Sequence, residues 1–244
     1  MQHKLLILLI LSIMAHAEEP LVIPQSLIDQ VEQGNAEVAY YIASQFNQRN
    51  FENPDTDDEN ETKKWMKKAA EMDYPQAMFE WGQMLDYDDK KKQALAWYQK
   101  AAETGLSDAM EKIGNFYIFG FGGLSTDCHE AYEWYKKAEL VENKLAYNDH
   151  AWHLATAPDK SCRSPERALR LITKLVGLYQ REMNHVPPHV LDTQAAVFAS
   201  VSEFNKAIKA QEKAIELLGE NNEDLGSYQE RLDVYTQRKA WFQK

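Results

Sequence analysis

The sequence predicts an all-α fold, a right-handed α/α superhelical solenoid of stacked helical hairpins, and three observations predict it. Three segments repeat one another: Trp65-Met-Lys-Lys-Ala69-Ala70, Trp97-Tyr-Gln-Lys-Ala101-Ala102 and Trp134-Tyr-Lys-Lys-Ala138, with the tryptophans 32 and 37 residues apart. Small residues keep the same register, Ala77 and Ala109 twelve residues beyond the first two tryptophans and Gly82 and Gly114 seventeen beyond them. No stretch alternates apolar and polar with the period of 2 that a half-buried strand requires. A glycine inside a helix costs about 1 kcal/mol relative to alanine. Its recurrence therefore signals a place where a side chain would obstruct a close approach.

The elements follow in order. Lys4, the apolar run Leu5 to Met14 and the small-x-small Ala15-His16-Ala17 predict a secretory signal peptide over residues 1–17. The run is short for a membrane span, and a retained N-terminal anchor is the alternative. No cysteine follows the run, which disfavours lipoprotein processing there, and no later segment is apolar enough to span a membrane. Residues 18–33 form a lead-in, with Pro20 and Pro24 holding the chain extended before a short helix over Ser26 to Gln33 that Gly34 ends. Setting Gly34 on Gly105 pairs Val38 with Ala109, Ile42 with Ile113, Ala43 with Gly114 and Phe46 with Tyr117, so the array begins one helix before the first repeated tryptophan. First (A) helices are expected near 36–49, 76–86, 107–118, 145–157 and 189–201. Second (B) helices are expected near 59–72, 90–103, 127–140, 165–182 and 203–218. A last helix near 223–241, with Leu232, Tyr235 and Trp241 on one side, would cap the array. The expected division is thus 34–140 for the first repeats, 141–219 for two further hairpins and 220–244 for the cap.

Residues 105–138 carry Gly105, Ala109, Ile113-Gly114, Tyr117, Gly120, Gly122, Asp127, Ala131, Trp134-Tyr135 and Lys137-Ala138. That set resembles the Sel1-like repeat. The first repeat departs from it with an acidic insert, Asn53 to Glu61, and the second shortens the loop to Tyr87-Asp88-Asp89. From about Tyr147 the pattern is similar to tetratricopeptide hairpins: Asn148 to Thr156 with Arg163 to Leu169, then Leu191 to Ala196 with Phe204 to Leu217. The resemblance implies helical solenoids that serve as adaptors and assembly scaffolds. Exported Sel1-like proteins resemble interaction factors more often than enzymes.

The balance of 27 Lys and Arg against 38 Asp and Glu gives −11. Removal of Lys4 with the signal would leave −12. Such a surface argues against nucleic acid and anionic lipid as partners, both of which need clustered cations. Cys128 and Cys162 are expected to form a disulfide in an exported bacterial chain, clamping neighbouring repeats. Two metal sites are conceivable from residue type alone. Cys128 and Cys162 with His150 and His153 would make a zinc set, and Asp55, Asp57, Asp58 and Glu59 would offer oxygens to calcium. Neither matches a known ligand spacing, so no metal or cofactor is expected. His185 and His189 flank Pro187-Pro188 as surface residues, and the sequon Asn60-Glu61-Thr62 bears only on a host that glycosylates.

No G-x-S-x-G, P-loop or glycine fingerprint is present, which removes the commonest catalytic frameworks. The expectation is a non-enzymatic protein- or peptide-binding scaffold, periplasmic or secreted. It would bind through a concave groove lined by A helices, with Tyr41, Gln45, Gln83, Asn115 and Trp152 as candidate contacts. A cell-wall-associated enzyme and a metal-stabilised structural module are the alternatives.

Overall fold

The computed structural model describes residues 20–52, 58–220 and 222–243. The expected signal peptide, together with Asp55 and Asp57 of the acidic insert, lies outside the described residues. Among these residues the chain is all-helical, with no strand. It divides into two compact units, one ending at Leu106 and the other beginning at Ser107.

The first unit comprises α1 (Gln25–Glu32), α2 (Ala36–Glu52), α3 (Asp58–Glu71), α4 (Pro75–Tyr87) and α5 (Lys91–Glu103). Helices α2 and α3 pair as one hairpin, α4 and α5 as the next, and α3 packs on α4 between them. Each B-to-A turn reverses through one residue in the left-handed region: Gly34 after α1 and Asp73 after α3. In both turns the next amide reaches back five residues, Asn35 to the Gln30 carbonyl and Tyr74 to the Ala69 carbonyl, which satisfies the helix end. Ala39, Ile42, Ala43, Met66, Ala69, Ala70, Ala77 and Ala101 are essentially sealed from solvent between the helices. Tyr98 is fully buried, and its ring lies where a Cβ on Gly82 would be, 2.7 Å from Cε1. The recurring glycine therefore makes room for the tyrosine of its own hairpin. Of the repeated tryptophans in this unit, Trp65 is buried and Trp97 sits nearer the edge. Trp97 is only half-buried, with the Lys100 ammonium 4.3 Å from its ring centre.

The second unit comprises α6 (Ser107–Phe119), α7 (Cys128–Glu139), α8 (Lys144–Thr156), α9 (Pro165–Met183), α10 (Pro188–Ser200), α11 (Phe204–Leu218) and α12 (Leu225–Thr236). Short 3-10 turns occupy Phe121–Gly123 and Lys160–Cys162. Helices pair as α6–α7, α8–α9 and α10–α11, α12 covers α11, and successive first helices touch, α6 with α8 and α8 with α10. Asp127 caps α7, its carboxylate accepting from the His129 and Glu130 amides, and Asn143 caps α8 through the Ala146 amide. The glycine–tyrosine contact recurs, a Cβ on Gly114 falling 2.5 Å from Tyr135 Cε1.

The last helix is shorter than the sequence predicts. It ends at Thr236, because Arg238 adopts a left-handed φ of 57° and the Lys239 amide turns back to the Val234 carbonyl. Trp241 therefore belongs to a non-helical segment and not to the helix face on which it was expected.

Candidate functional site

In the first unit, a hollow of about 430 Å³ opens between α2, α3 and α4, lined by Asn47, Asn50, Glu59, Thr62, Lys63, Gln83, Met84 and Tyr87. Gln83 is exposed there, and the Tyr87 ring at the end of α4 is 94% exposed. Lys63 bridges Glu59 at 2.8 Å and Asp88 at 3.4 Å, and the hydrogen bond to Glu59 raises its pKa. Tyr41 and Gln45 lie half-buried on α2 and are not part of the hollow's lining. Of the acidic stretch weighed for calcium, Asp58 faces Arg49 at 3.3 Å and Glu59 faces Lys63.

The second unit places Asn115 inside a polar network. Its amide donates to Glu111 and, at 3.0 Å, to Asp149, while its carbonyl accepts from the Tyr135 hydroxyl. Most of its bonding capacity is thus used inside the protein. Glu111 is 1% exposed, and burial, reinforced by Asp149 and opposed by Lys112, pushes its carboxyl up to about 8. Burial likewise raises the Tyr135 hydroxyl well above its ordinary value. Beside it, His150 and His153 are buried on α8, and desolvation lowers both. His150 Nδ1 pairs with Glu139. The His150 ring stacks on Tyr132 at 4.8 Å, and His153 lies 6.1 Å from Tyr135. These rings fill the interior.

Cys128 and Cys162 are joined, with Cα atoms 5.8 Å apart, and the Tyr132 hydroxyl donates to the Cys162 carbonyl at 2.7 Å. Both sulfurs are therefore spent in one bond, and the histidines weighed with them turn to Glu139 and Gln243. The zinc set is not assembled, and no group of metal-ligating side chains gathers among the described residues. His185 and His189 are exposed, His189 in the first turn of α10.

A second buried polar cluster, absent from the sequence expectations, joins α10, α11 and α12. Asp192 Oδ1 accepts from Arg231 Nε and from Gln211 Nε2, each at 2.7 Å. Gln211 also donates to the Tyr228 carbonyl at 3.0 Å. Burial raises the Asp192 carboxyl in spite of the guanidinium beside it. The Arg231 guanidinium also faces the rings of Tyr228, Trp152 and Trp241 at 4.8, 5.6 and 6.0 Å. Trp152, a candidate contact, is half-buried in this assembly. The available signal was a charge, Asp192, on a helix whose residues from Val190 to Ser200 are all buried or half-buried.

Residues 55–74, 75–106 and 107–139 match the Sel1 repeat family. Residues 55–139 are thus three Sel1 repeats. Their boundaries fall at the turns before α4 and α6, so each matched unit from Pro75 onward is one A–B hairpin. The hairpins α8–α9 and α10–α11 lie beyond the matched residues. A Sel1 repeat protein from Oxalobacter formigenes is similar in structure, with a TM-score of 0.55 and 19% identity over 84% of this chain and 90% of that one. A protective antigen present in uropathogenic Escherichia coli strains, displaying an SLR fold, aligns with a TM-score of 0.43 and 19% identity. That alignment covers 88% of this chain and 60% of the antigen. No curated protein matches the chain. The Sel1 likeness establishes a solenoid scaffold fold.

Proposed function

We propose that the chain is a non-enzymatic protein- or peptide-binding scaffold of the bacterial envelope, exported by residues 1–17 and then periplasmic or secreted. The observation that carries the reading is the hollow between α2, α3 and α4, with Gln83 in its wall and the Tyr87 ring standing in water at its rim. A large ring left in solvent on a preformed surface is the kind of anchor that interfaces bury, and a rigid stack of hairpins requires no reordering to receive a partner. Sel1 repeats generally mediate protein interactions, and the sequence offers no activated nucleophile. The bond between Cys128 and Cys162 supports an oxidising compartment.

The test begins with crosslinked capture from cell-envelope extract by the chain lacking residues 1–17, followed by affinity measurements on the purified partner. Tyr87→Ala and Gln83→Arg are expected to weaken binding about tenfold, or about 1.4 kcal/mol, while Glu212→Lys, at an exposed position of α11, leaves it unchanged. Undiminished binding by Tyr87→Ala, with loss in Glu212→Lys, would place the interface elsewhere. Turnover of cell-wall fragments by the pure chain would overturn the non-enzymatic reading.

A further inference from the structure

Three carboxamides line the hollow of the first unit. Asn47 and Asn50 lie three residues apart on α2 and so share a helix face, and Gln83 reaches the same hollow from α4. Asn47 and Gln83 are exposed and Asn50 is half-buried. Among the described residues none of the three side chains is hydrogen-bonded within the protein. The next repeat shows the contrast. Asn115 follows Gly114 as Gln83 follows Gly82, yet its amide is engaged by Glu111 and Asp149 and its carbonyl by the Tyr135 hydroxyl. Phe79, buried and apolar, holds the place of Glu111 one repeat earlier, so the acceptor that ties down Asn115 has no counterpart beside Gln83.

The charges of the hollow are already paired. Lys63 bridges Glu59 at 2.8 Å and Asp88 at 3.4 Å, and Asp88 also meets Lys90 at 3.0 Å. The Thr62 hydroxyl donates to the Asp58 carbonyl at 2.8 Å. A strongly charged ligand would have to break the ion pairs, so the capacity left over is neutral. Each carboxamide offers an acceptor oxygen and two donor hydrogens, the complement of a peptide group. Met84 is half-buried in the same wall, and the Tyr87 ring stands at the rim, 94% exposed. Together they make an adaptable apolar edge for one side chain. A saccharide also carries donors and acceptors, but its apolar ring faces call for an aromatic floor, and the tyrosine of this lining is not a floor.

We propose that the hollow of α2–α4 binds an extended, uncharged segment of a partner protein through its main chain. Asn47, Asn50 and Gln83 are the pairing groups, and Met84 and Tyr87 receive a single apolar side chain. Main-chain hydrogen bonds hold a segment whatever its sequence, and one side-chain position selects among segments. The surface is thus tolerant of sequence, with one anchor. This binding mode rests on the reading of the hollow as the chain's interface and names what that interface recognises.

The experiment selects a phage-displayed library of random peptides on the chain lacking only residues 1–17, then measures affinity with an enriched peptide made with a fluorescein label. The enriched peptides should share one apolar position and fix no other residue. N-methylation of the main-chain nitrogens flanking that position should weaken binding about tenfold or more. Gln83→Glu keeps the shape and removes the donors, and it should weaken every enriched peptide about fivefold, as should Asn47→Ala/Asn50→Ala. Raising salt from about 50 to about 500 mM should leave affinity within about twofold, since no exposed charge pair forms. Circular dichroism checks that these surface variants fold. A library that enriches nothing, peptides with several fixed charges, or binding indifferent to N-methylation or to Gln83→Glu overturns the proposal. So does tight binding of a labelled chito-oligosaccharide that the same variants abolish, since the ligand would then be a saccharide. Tyr87→Ala separates the two levels. Partner capture that it abolishes, but that the amide variants leave intact, keeps the hollow as interface and removes main-chain recognition. Capture that it leaves intact removes the reading of the hollow itself.

Discussion

Tyr98 lies against Gly82 in the first unit, and Tyr135 lies against Gly114 in the second, at the same position of successive repeats. Around Tyr98 the sealed positions are alanine, leucine and phenylalanine: Ala77, Phe79, Leu85, Ala94 and Ala101. Around Tyr135 they include Glu111, His150 and His153, and the tyrosine hydroxyl donates to Asn115, whose amide donates in turn to Glu111. One packing device therefore serves two kinds of interior. The apolar one depends on shape, since dispersion and burial have no direction. The polar one depends on every partner being present, since an unpaired buried group costs its full desolvation. The second unit is thus expected to be the more sensitive to single changes.

The largest effect tests that sensitivity. Arg231→Ala leaves the Asp192 carboxylate buried without its cation, and a loss of about 3–5 kcal/mol is expected. Hydrogen exchange should show the loss in α10–α12, and equal loss in α1–α5 would erase the distinction between the units. Next comes the covalent clamp. Cys128→Ser/Cys162→Ser opens a loop spanning 34 residues, which should cost about 3–4 kcal/mol by the loop-entropy relation. Denaturant titration of oxidised and reduced chain would check it, and a midpoint indifferent to reduction would refute it.

The glycines give a matched pair. Gly82→Ala and Gly114→Ala should each cost roughly 1–3 kcal/mol through overpacking, despite the better helix propensity of alanine. Gly114→Ala should cost more, because the Tyr135 hydroxyl is anchored to Asn115 and its ring is less free to shift. Equal costs in thermal melts would show that the polar network adds no rigidity.

The smallest effect is the slope of stability with pH. Folded Glu111 titrates near 8 against an ordinary 4.5, so between those values the folded chain holds a proton that the unfolded chain lacks. Stability from this group is full in acid and falls as pH rises through that window. His150 and His153, lowered from 6.5, act oppositely: their contribution is full above that value and is lost as pH falls. Glu111→Gln should abolish that fall, which amounts to about 1.4 kcal/mol for each pH unit crossed within the window, and leave the acid limb intact. The shifted groups of the first unit, Tyr40 and Lys63 upward and Asp88 downward, all move away from neutral pH. A chain whose stability at pH 8 is unaltered by Glu111→Gln would show that Glu111 is ionised without penalty.

The array itself was legible in the residues. Tryptophan, alanine and glycine at fixed register mark helices that must bury the same face in the same way, and the matched hairpins follow that register. Gly34 was readable as a stop for the same local reason. The candidate contacts were less so. Gln83 lines a hollow, but Asn115 spends its amide inside the protein, and no periodicity distinguishes the two. The end of α12 was misjudged because Leu232, Tyr235 and Trp241 fit one helical face, and only the reversal at Arg238 shows Trp241 to be elsewhere.

By itself the sequence determined what is local or periodic: which segments are helical, where they turn and which small residues recur. Helix propensity, capping and spacing act within a few residues, and the order of residues contains them. Only the tertiary structure decided which polar groups meet. Asp192 finds Arg231 and Gln211, Glu111 faces Asp149 across Asn115, and Gln243 reaches the end of α8. Those encounters join residues far apart in the chain. Their energies depend on distance and burial, and neither exists before the helices have packed.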